Sequence, residues 1–231
     1  MRSTATDHFA CLDPRTAAVA RRLHAQADRQ LFRLAPLLLP KLPAMVLGRS
    51  TSVTPRQRRA MDDKFLALDR AQAAYCYAQA RAVRARTVVE FGTSFGVSTL
   101  WLAAAVRDNG GGTVIGTELV EHKAEQARAN VREAGLEEYV DIRQGDARET
   151  LRDLPGPVDF LLNDGWPEAA LDVLKLVTPA LRPGAMVVTD NVGAMRGDYA
   201  DYTAWIRDPD NGFVSLRVPF RTGTEVSVRT G

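Results

Sequence analysis

Six residues of this chain stand at the ends of apolar runs and have side chains able to do chemistry: Glu90, Glu118, Asp146, Asp164, Asp190 and Asn191. Glu90 sits in the run Thr87–Phe91, which is followed by Gly92-Thr-Ser-Phe-Gly96. A strand that turns into a helix across two glycines makes a binding site out of backbone. Glycine permits the turn and lets a ligand approach the main chain, and the helix start offers unpaired N–H groups. The spacing is G-x-x-x-G, not the G-x-G-x-x-G of a dinucleotide turn. A carboxylate at that strand end disfavours a phosphate and favours a ligand that carries an ammonium group. An ordinary βα turn would show the same two glycines.

Glu118 ends the next β-branched run, Thr113–Thr117. It lies about 20 residues past the glycines, the offset at which an acid accepts hydrogen bonds from a ribose in nucleotide-binding βαβ units. An acid favoured by a helix-start dipole is the alternative. Asp146 suits the N-cap of a helix opening at Ala147. Asp164 (in Leu-Leu-Asn-Asp-Gly-Trp) and Asp190-Asn191 (in Val-Val-Thr-Asp-Asn) bring two carboxylates and an amide oxygen to adjacent strand ends. Such a donor set suits a magnesium-like cation. Loop-start turns, where Asp and Asn are common, are the alternative.

The elements that must position these residues can be laid out along the chain. Strands are expected at 87–91, 113–117, 139–143, 158–163, 184–189, 213–218 and 224–229, with helices at 96–108, 121–134, 147–153, 167–181 and 199–207. Five strands alternating with helices imply a parallel sheet with helices on both faces. Only Pro219 to Gly223 separate the last two strands, so they form a hairpin and one of them runs antiparallel. Before the sheet, residues 1–12 are expected to be loose. Asp13-Pro14 opens a helix to about Leu34, and Pro36, Pro40 and Pro43 break the apolar stretch Ala35–Gly48. Thr54-Pro55 starts a helix reaching Arg84, with a break near Asp69.

The 231 residues suit one α/β domain, 61–231, preceded by a helical cap, lid or oligomerisation segment, 1–60. Net charge is +2, but residues 1–60 hold 11 Lys+Arg against 3 Asp+Glu, leaving 19 basic and 25 acidic residues for the rest. The basic residues are spread at helical intervals, without interleaved aromatics, so packing on the body or on a partner subunit is favoured over nucleic acid. No apolar run is long enough to span a bilayer and no secretory signal is visible; a cytoplasmic protein is expected. Cys11 and Cys76 have no metal or redox spacing and read as free thiols.

Glu90-x-Gly92-x-x-x-Gly96 resembles motif I of the class I methyltransferases that use S-adenosylmethionine. Together with Glu118, Asp164-Gly-Trp166 and Asp190-Asn191, it is similar to the catechol O-methyltransferase family, above all its small bacterial members, over about residues 60–231. The resemblance implies a Rossmann-like, seven-stranded, mostly parallel sheet with a C-terminal antiparallel hairpin and an N-terminal helical cap. It implies S-adenosylmethionine held by Glu90, Gly92, Ser94, Gly96, Ser98, Glu118, Leu119, Asp146 and Ala147, with Trp166 walling the pocket. Asp146 could receive the adenine amino group as well as cap its helix. Asp164, Asp190 and Asn191 would hold a divalent cation, Mg²⁺ by the family's habit, and Asp164 would act in catalysis. The acceptor would be a small hydroxylated aromatic molecule, and the N-terminal helices would shape its pocket or join two copies as a homodimer. A metal-independent nitrogen or RNA methyltransferase, or a cofactor-binding protein without turnover, stay open beside this.

One position departs from the family. A lysine that serves as general base there follows the tryptophan directly, and here the residue is Pro167. Lys175 is about 12 Å of helix rise further on. The metal alone could acidify a bound hydroxyl. A base could come from His8, His24 or Lys41 in the cap, although each histidine reads better as a surface residue. Or the nucleophile could need no strong base.

Overall fold

The computed structural model describes residues 6–39, 43–44, 47, 49–50, 57, 59–65, 67–220 and 222–231, and the side chains of these except 31–38. Helix α1 (Pro14–Leu38) opens as expected: the Asp13 carboxylate accepts the N–H groups of Arg15 at 3.0 Å and Thr16 at 3.1 Å. The helix carries on past Leu34 and through Pro36 to Leu38. Residues 8–11 are not loose. Asp7 caps a 3₁₀ turn, His8–Cys11, through the Phe9 N–H at 3.1 Å and pairs with Arg21 at 2.7 Å. Phe9 is then buried with its ring centroid 5.4 Å from that of Trp101.

The break expected near Asp69 is there: its carboxylate accepts from the N–H groups of Ala71 and Gln72 and starts α2 (Arg70–Ala82). The helix start expected at Thr54-Pro55, and Lys41, Met45 and Val46 of the apolar stretch, lie outside the described residues. Leu39 and Leu47 are described, and they are 61% and 65% exposed.

Strands and helices then alternate: β1 (Thr87–Phe91), α3 (Val97–Asp108), β2 (Thr113–Glu118), α4 (Glu121–Ala134), β3 (Val140–Gln144), α5 (Ala147–Thr150), β4 (Val158–Asn163), α6 (Pro167–Val177), β5 (Leu181–Thr189), α7 (Ala200–Arg207), β6 (Phe213–Val218) and β7 (Thr224–Arg229). They build one seven-stranded sheet in the order β3-β2-β1-β4-β5-β7-β6. β1 to β5 are parallel, and β7 runs antiparallel to both β5 and β6. This is the Rossmann-like sheet with a terminal hairpin expected above. β5 begins at Leu181, earlier than expected, because Pro183-Gly184 are absorbed into the strand where the β4–β5 register shifts. α5 and α6 are shorter than expected, and a 3₁₀ turn, Thr178–Ala180, follows α6.

Side chains alternate between the two faces of the sheet, and both faces are covered. Val88, Phe160, Leu162, Met186 and Val188 point to the layer containing α1, α2, α3 and α4. Val89, Leu161 and Val187 point to the layer of α5, α6 and α7. The described part of α1 belongs to this core, since Val19, Ala20 and Leu23 are buried in one cluster with Trp101 and Leu100. The order 3-2-1-4-5 reverses between β1 and β4, so their carboxyl ends open the crevice in which open α/β sheets take ligands.

Candidate functional site

The crevice is lined by backbone held too close for side chains. Gly92, at the end of β1, has φ +100°, and a Cβ there would lie 2.5 Å from the Asp164 carbonyl oxygen at the end of β4. The two strand ends are also joined by the Asp164 N–H donating to the Phe91 carbonyl at 2.9 Å. Gly165 meets a second limit: its Cβ would fall 2.3 Å from the Phe91 ring. Gly92 and Thr93 both donate to the Thr117 carbonyl of β2, at 3.3 Å and 3.0 Å, which folds the turn back over the neighbouring strand. Gly96, with φ +82°, is the N-cap of α3.

Glu90 is fully enclosed. Its Oε1 accepts from Ser98 Oγ at 2.6 Å, and its Oε2 accepts from the hydroxyls of Thr93 at 2.9 Å and Thr99 at 2.5 Å. Burial pushes this carboxyl above its usual range, and the three hydroxyls pull the other way. The structure therefore sets hydroxyls of the turn and of α3 against Glu90, and Ser98 is committed to it. Gly116 of β2 belongs to the same packing, since a Cβ there would lie 2.4 Å from Thr93 Oγ1.

Glu118, at the end of β2, uses both carboxylate oxygens on backbone: Oε2 accepts the Ser94 N–H and Oε1 the Val120 N–H, each at 2.8 Å. Ser94 takes φ +49° without being glycine, and its Oγ is buried with no hydrogen-bond partner among the described residues. A buried hydroxyl left without a partner in the folded chain calls for one from outside it, a water or a ligand atom. Leu119 stands beside Glu118 and is 50% exposed.

Asp164, Asp190 and Asn191 lie at the ends of adjacent strands β4 and β5. The half-buried Asp164 carboxylate has no hydrogen-bond partner among the described residues. Burial, together with the charges of Asp190 and Glu90, pushes it well above the usual carboxylate range. Asp190 is 5% exposed and raised by burial, an effect opposed by donors from Thr222, the Asn191 backbone and Gln72. Asn191 has φ +63°, which turns the chain sharply after the strand. Among the described residues no cation pairs with Glu90, Asp164 or Asp190. No three His, Cys, Asp or Glu side chains there gather as a metal centre, so an ion at this point would need the Asn191 amide or substrate oxygens beside the two aspartates.

Asp146 caps α5 through the Arg148 N–H at 2.9 Å, and the Arg148 guanidinium at 2.6 Å holds its carboxyl below the usual range. Ala147 beside it is buried, and half-buried Trp166 is the N-cap of α6. Pro167 occupies the first helical position, where no N–H donor is needed. Lys175 sits 5.8 Å over the Trp205 ring, on the flank of α6 and α7. His24, expected at the surface, is 3% exposed between Phe9 and Trp101 in the α1–α3 core. His8 lies in the Asp7-capped turn, and Lys41 is outside the described residues.

Sequence reasoning missed Gln72, whose Nε2 donates to Asp190 Oδ1 at 2.5 Å, and Thr222, whose hydroxyl does so at 2.7 Å. It also missed Gly116 and Gly165. No local signal marks the first two, because they reach Asp190 from α2 and from the β6–β7 turn.

The methyltransferase-domain family model matches residues 89–192, which run from β1 through Asn191. A catechol O-methyltransferase of Mycobacterium tuberculosis is 34% identical over 155 residues, 66% of this chain and 65% of that protein. The matched stretch thus spans just under two thirds of that relative. A protein of Mycobacterium sp. named "Putative O-methyltransferase" is 33% identical over 158 residues, 67% of this chain and 71% of its own length. Among solved structures, the O-methyltransferase from Bacillus cereus in complex with SAH superposes with a TM-score of 0.65 over 90% of this chain and 100% of that one. At 21% identity that likeness speaks for the fold.

Proposed function

Since this chain belongs to the O-methyltransferase family of class I methyltransferases, we propose that it transfers a methyl group from S-adenosylmethionine to an oxygen of a small hydroxylated molecule, with an aromatic acceptor favoured. When bound, that cofactor supplies an electrophilic sulfonium methyl. The observation that carries the assignment is Glu118, held by the Ser94 and Val120 N–H groups at the mouth of the backbone-walled crevice. In that position it would accept the ribose hydroxyls. Gly92, Ser94 and Gly96 would offer main chain, with the orphaned Ser94 hydroxyl turned to use. Glu90 would act through the turn itself, tying Thr93, Ser98 and Thr99 into one shape. Leu119, Asp146, Ala147 and Trp166 would frame the base.

Asp164, Asp190 and Asn191 would hold a divalent cation such as Mg²⁺. The chemistry of the donor set fits: two carboxylates repel each other in a half-closed site, one of them without a hydrogen bond, and no described cation balances them. When bound, such an ion supplies positive charge that stabilises an acceptor oxygen losing its proton. The residues themselves would hold the acceptor in line with the methyl group, which is where most of the acceleration arises. Pro167 stands in the lysine position and Lys175 lies over Trp205, so neither position supplies a lysine base beside Asp164.

Residues 1–60 would form the cap that bounds the acceptor pocket. The Ser50 hydroxyl donates to Asp198 at 2.5 Å, which brings this segment to the loop following Asn191. A homodimer joined through the N-terminal helices is supported by the exposed Leu39 and Leu47, and sedimentation would test it. The decisive experiment for the activity is incubation with S-adenosylmethionine and catechol under Mg²⁺, read by mass spectrometry. A product heavier by one methylene, with S-adenosylhomocysteine formed in equal amount, is expected. Cofactor that neither binds nor turns over with any hydroxylated acceptor would sink the assignment.

A further inference from the structure

We propose that Gln72 and Thr222 are positioning residues for Asp190: both donate to its Oδ1, where Thr224 Oγ1 adds a longer contact at 3.4 Å, and with the Asn191 N–H they fix how the carboxylate faces the site. The inference rests on the methyl-transfer function argued above and deepens it. Gln72 comes from the first turn of α2 and is 3% exposed, and its Nε2 lies 2.5 Å from Asp190 Oδ1 and 2.8 Å from Thr224 Oγ1. The Thr222 hydroxyl is 2.7 Å from the same oxygen. Among the described residues no side chain donates to Oδ2. A carboxylate held by one oxygen from two directions cannot rotate freely, so the orientation of the other oxygen is set as well.

The β6–β7 turn that carries Thr222 is itself clamped to the site. The Ala194 N–H donates to the Thr222 carbonyl at 2.7 Å, and the Gly193 N–H to that of Gly223 at 3.2 Å. A Cβ on Gly193 would lie 2.8 Å from the Cα of Gly223, and one on Gly223 would lie 2.6 Å from the Cα of Gly193. The backbones touch there, so the hairpin fixes the loop after Asn191 and the Asp190 side chain together. By this account the C-terminal hairpin is a working part of the site and not only the edge of the sheet.

The test compares Thr222→Val, which keeps the shape and loses the hydroxyl, with Thr222→Ser, which keeps the hydroxyl, and adds Gln72→Met. Thermal midpoints confirm folding, calorimetry reads Mg²⁺ and S-adenosylmethionine binding, and steady-state kinetics use catechol as acceptor. Losing a hydrogen bond to a charged group corresponds to about a 10- to 100-fold change. Thr222→Val and Gln72→Met should fall by that factor in kcat and weaken Mg²⁺ binding in the same order. S-adenosylmethionine affinity should stay within about twofold, and Thr222→Ser should recover most of both losses. Folded Thr222→Val and Gln72→Met proteins with wild-type kcat and wild-type Mg²⁺ affinity overturn the proposal. So does a loss that Thr222→Ser shares in full. A wild-type protein that shows neither turnover nor cofactor binding sinks the underlying function instead, and Mg²⁺ binding across the variants still reads the positioning role.

Discussion

The carboxylate of Glu118 and the backbone of Ser94 are joined at 2.8 Å, and through that bond the second strand of the sheet sets the shape of the turn that ends the first. Ser94 holds a left-handed conformation that costs a non-glycine residue about 1–3 kcal/mol, and the charge-assisted bond its N–H donates to Glu118 offsets part of this. Glu118→Ala removes both the expected ribose acceptor and the support under Ser94. It should weaken S-adenosylmethionine binding by about 1–3 kcal/mol, roughly 10- to 100-fold. Calorimetry on the folded variant checks this, and unchanged affinity would remove Glu118 from the site.

At Gly92 a single added methyl group is opposed twice, by the backbone conformation and by the neighbouring strand end. Its φ of +100° strains any other residue, and the added carbon would sit 2.5 Å from the Asp164 carbonyl. Gly92→Ala should cost about 1–3 kcal/mol of stability and abolish measurable cofactor binding, because β1 and β4 must part to admit it. Gly110→Ala is the control: its φ is +92°, but nothing lies within 4 Å of the new carbon. That variant should lose some stability and keep its affinity. Equal affinity in both variants would mean that the crevice between β1 and β4 does not hold the ligand.

Removal of metal separates the two roles open to the acidic residues. If Asp164, Asp190 and Asn191 hold a cation, a chelator should abolish turnover and Mg²⁺ restore it. Asp190→Ala should then lose activity far more than S-adenosylmethionine affinity. A chelator-treated enzyme running at full rate would leave these residues as hydrogen-bond acceptors for the acceptor substrate, with the base to be sought in the N-terminal segment.

How much of this was legible follows from the range of each interaction. The strand from Thr87 to Phe91, the glycine turn and the acid at 118 are encoded by neighbours, and the structure places them where local pattern says. The Asp13 and Asp69 caps are equally local. The Gln72–Asp190 contact spans 118 residues and the Thr222–Asp190 contact 32, so nothing near Gln72 or Thr222 announces it. The order in residues 8–11 was hidden for the same reason, since it depends on Phe9 meeting Trp101 and Asp7 meeting Arg21. Glu90 shows a third case. Its presence at the strand end was legible, but its full enclosure by Thr93, Ser98 and Thr99 depends on which way the helix after the turn presents its hydroxyls.

The place of α1 leads to a test of how it is attached. Within the segment read as a cap, lid or oligomerisation element, Val19, Ala20, Leu23 and His24 of α1 pack on α3. His24 is 3% exposed, and its Nε2 has no hydrogen-bond partner among the described residues. Burial is the main cause that pushes its pKa down to about 4, and the Arg70 charge adds to this against partial opposition from Asp28 and Asp69. The folded state therefore prefers the neutral ring. Above the unfolded value of 6.5, neither state carries the proton and the contribution is constant. As pH falls from 6.5 towards 4, the unfolded chain takes up a proton that the folded chain refuses. Stability should drop by up to about 3 kcal/mol across that window and level off below it. Other groups titrate in acid as well, so the measurement is a difference: urea unfolding of wild type and His24→Leu at several pH values between 7 and 4. The gap between the two proteins should shift in favour of His24→Leu as the pH falls. Parallel curves across the window would show that α1 opens easily enough to hydrate His24, and the helix would then be a loosely docked element and not part of the core.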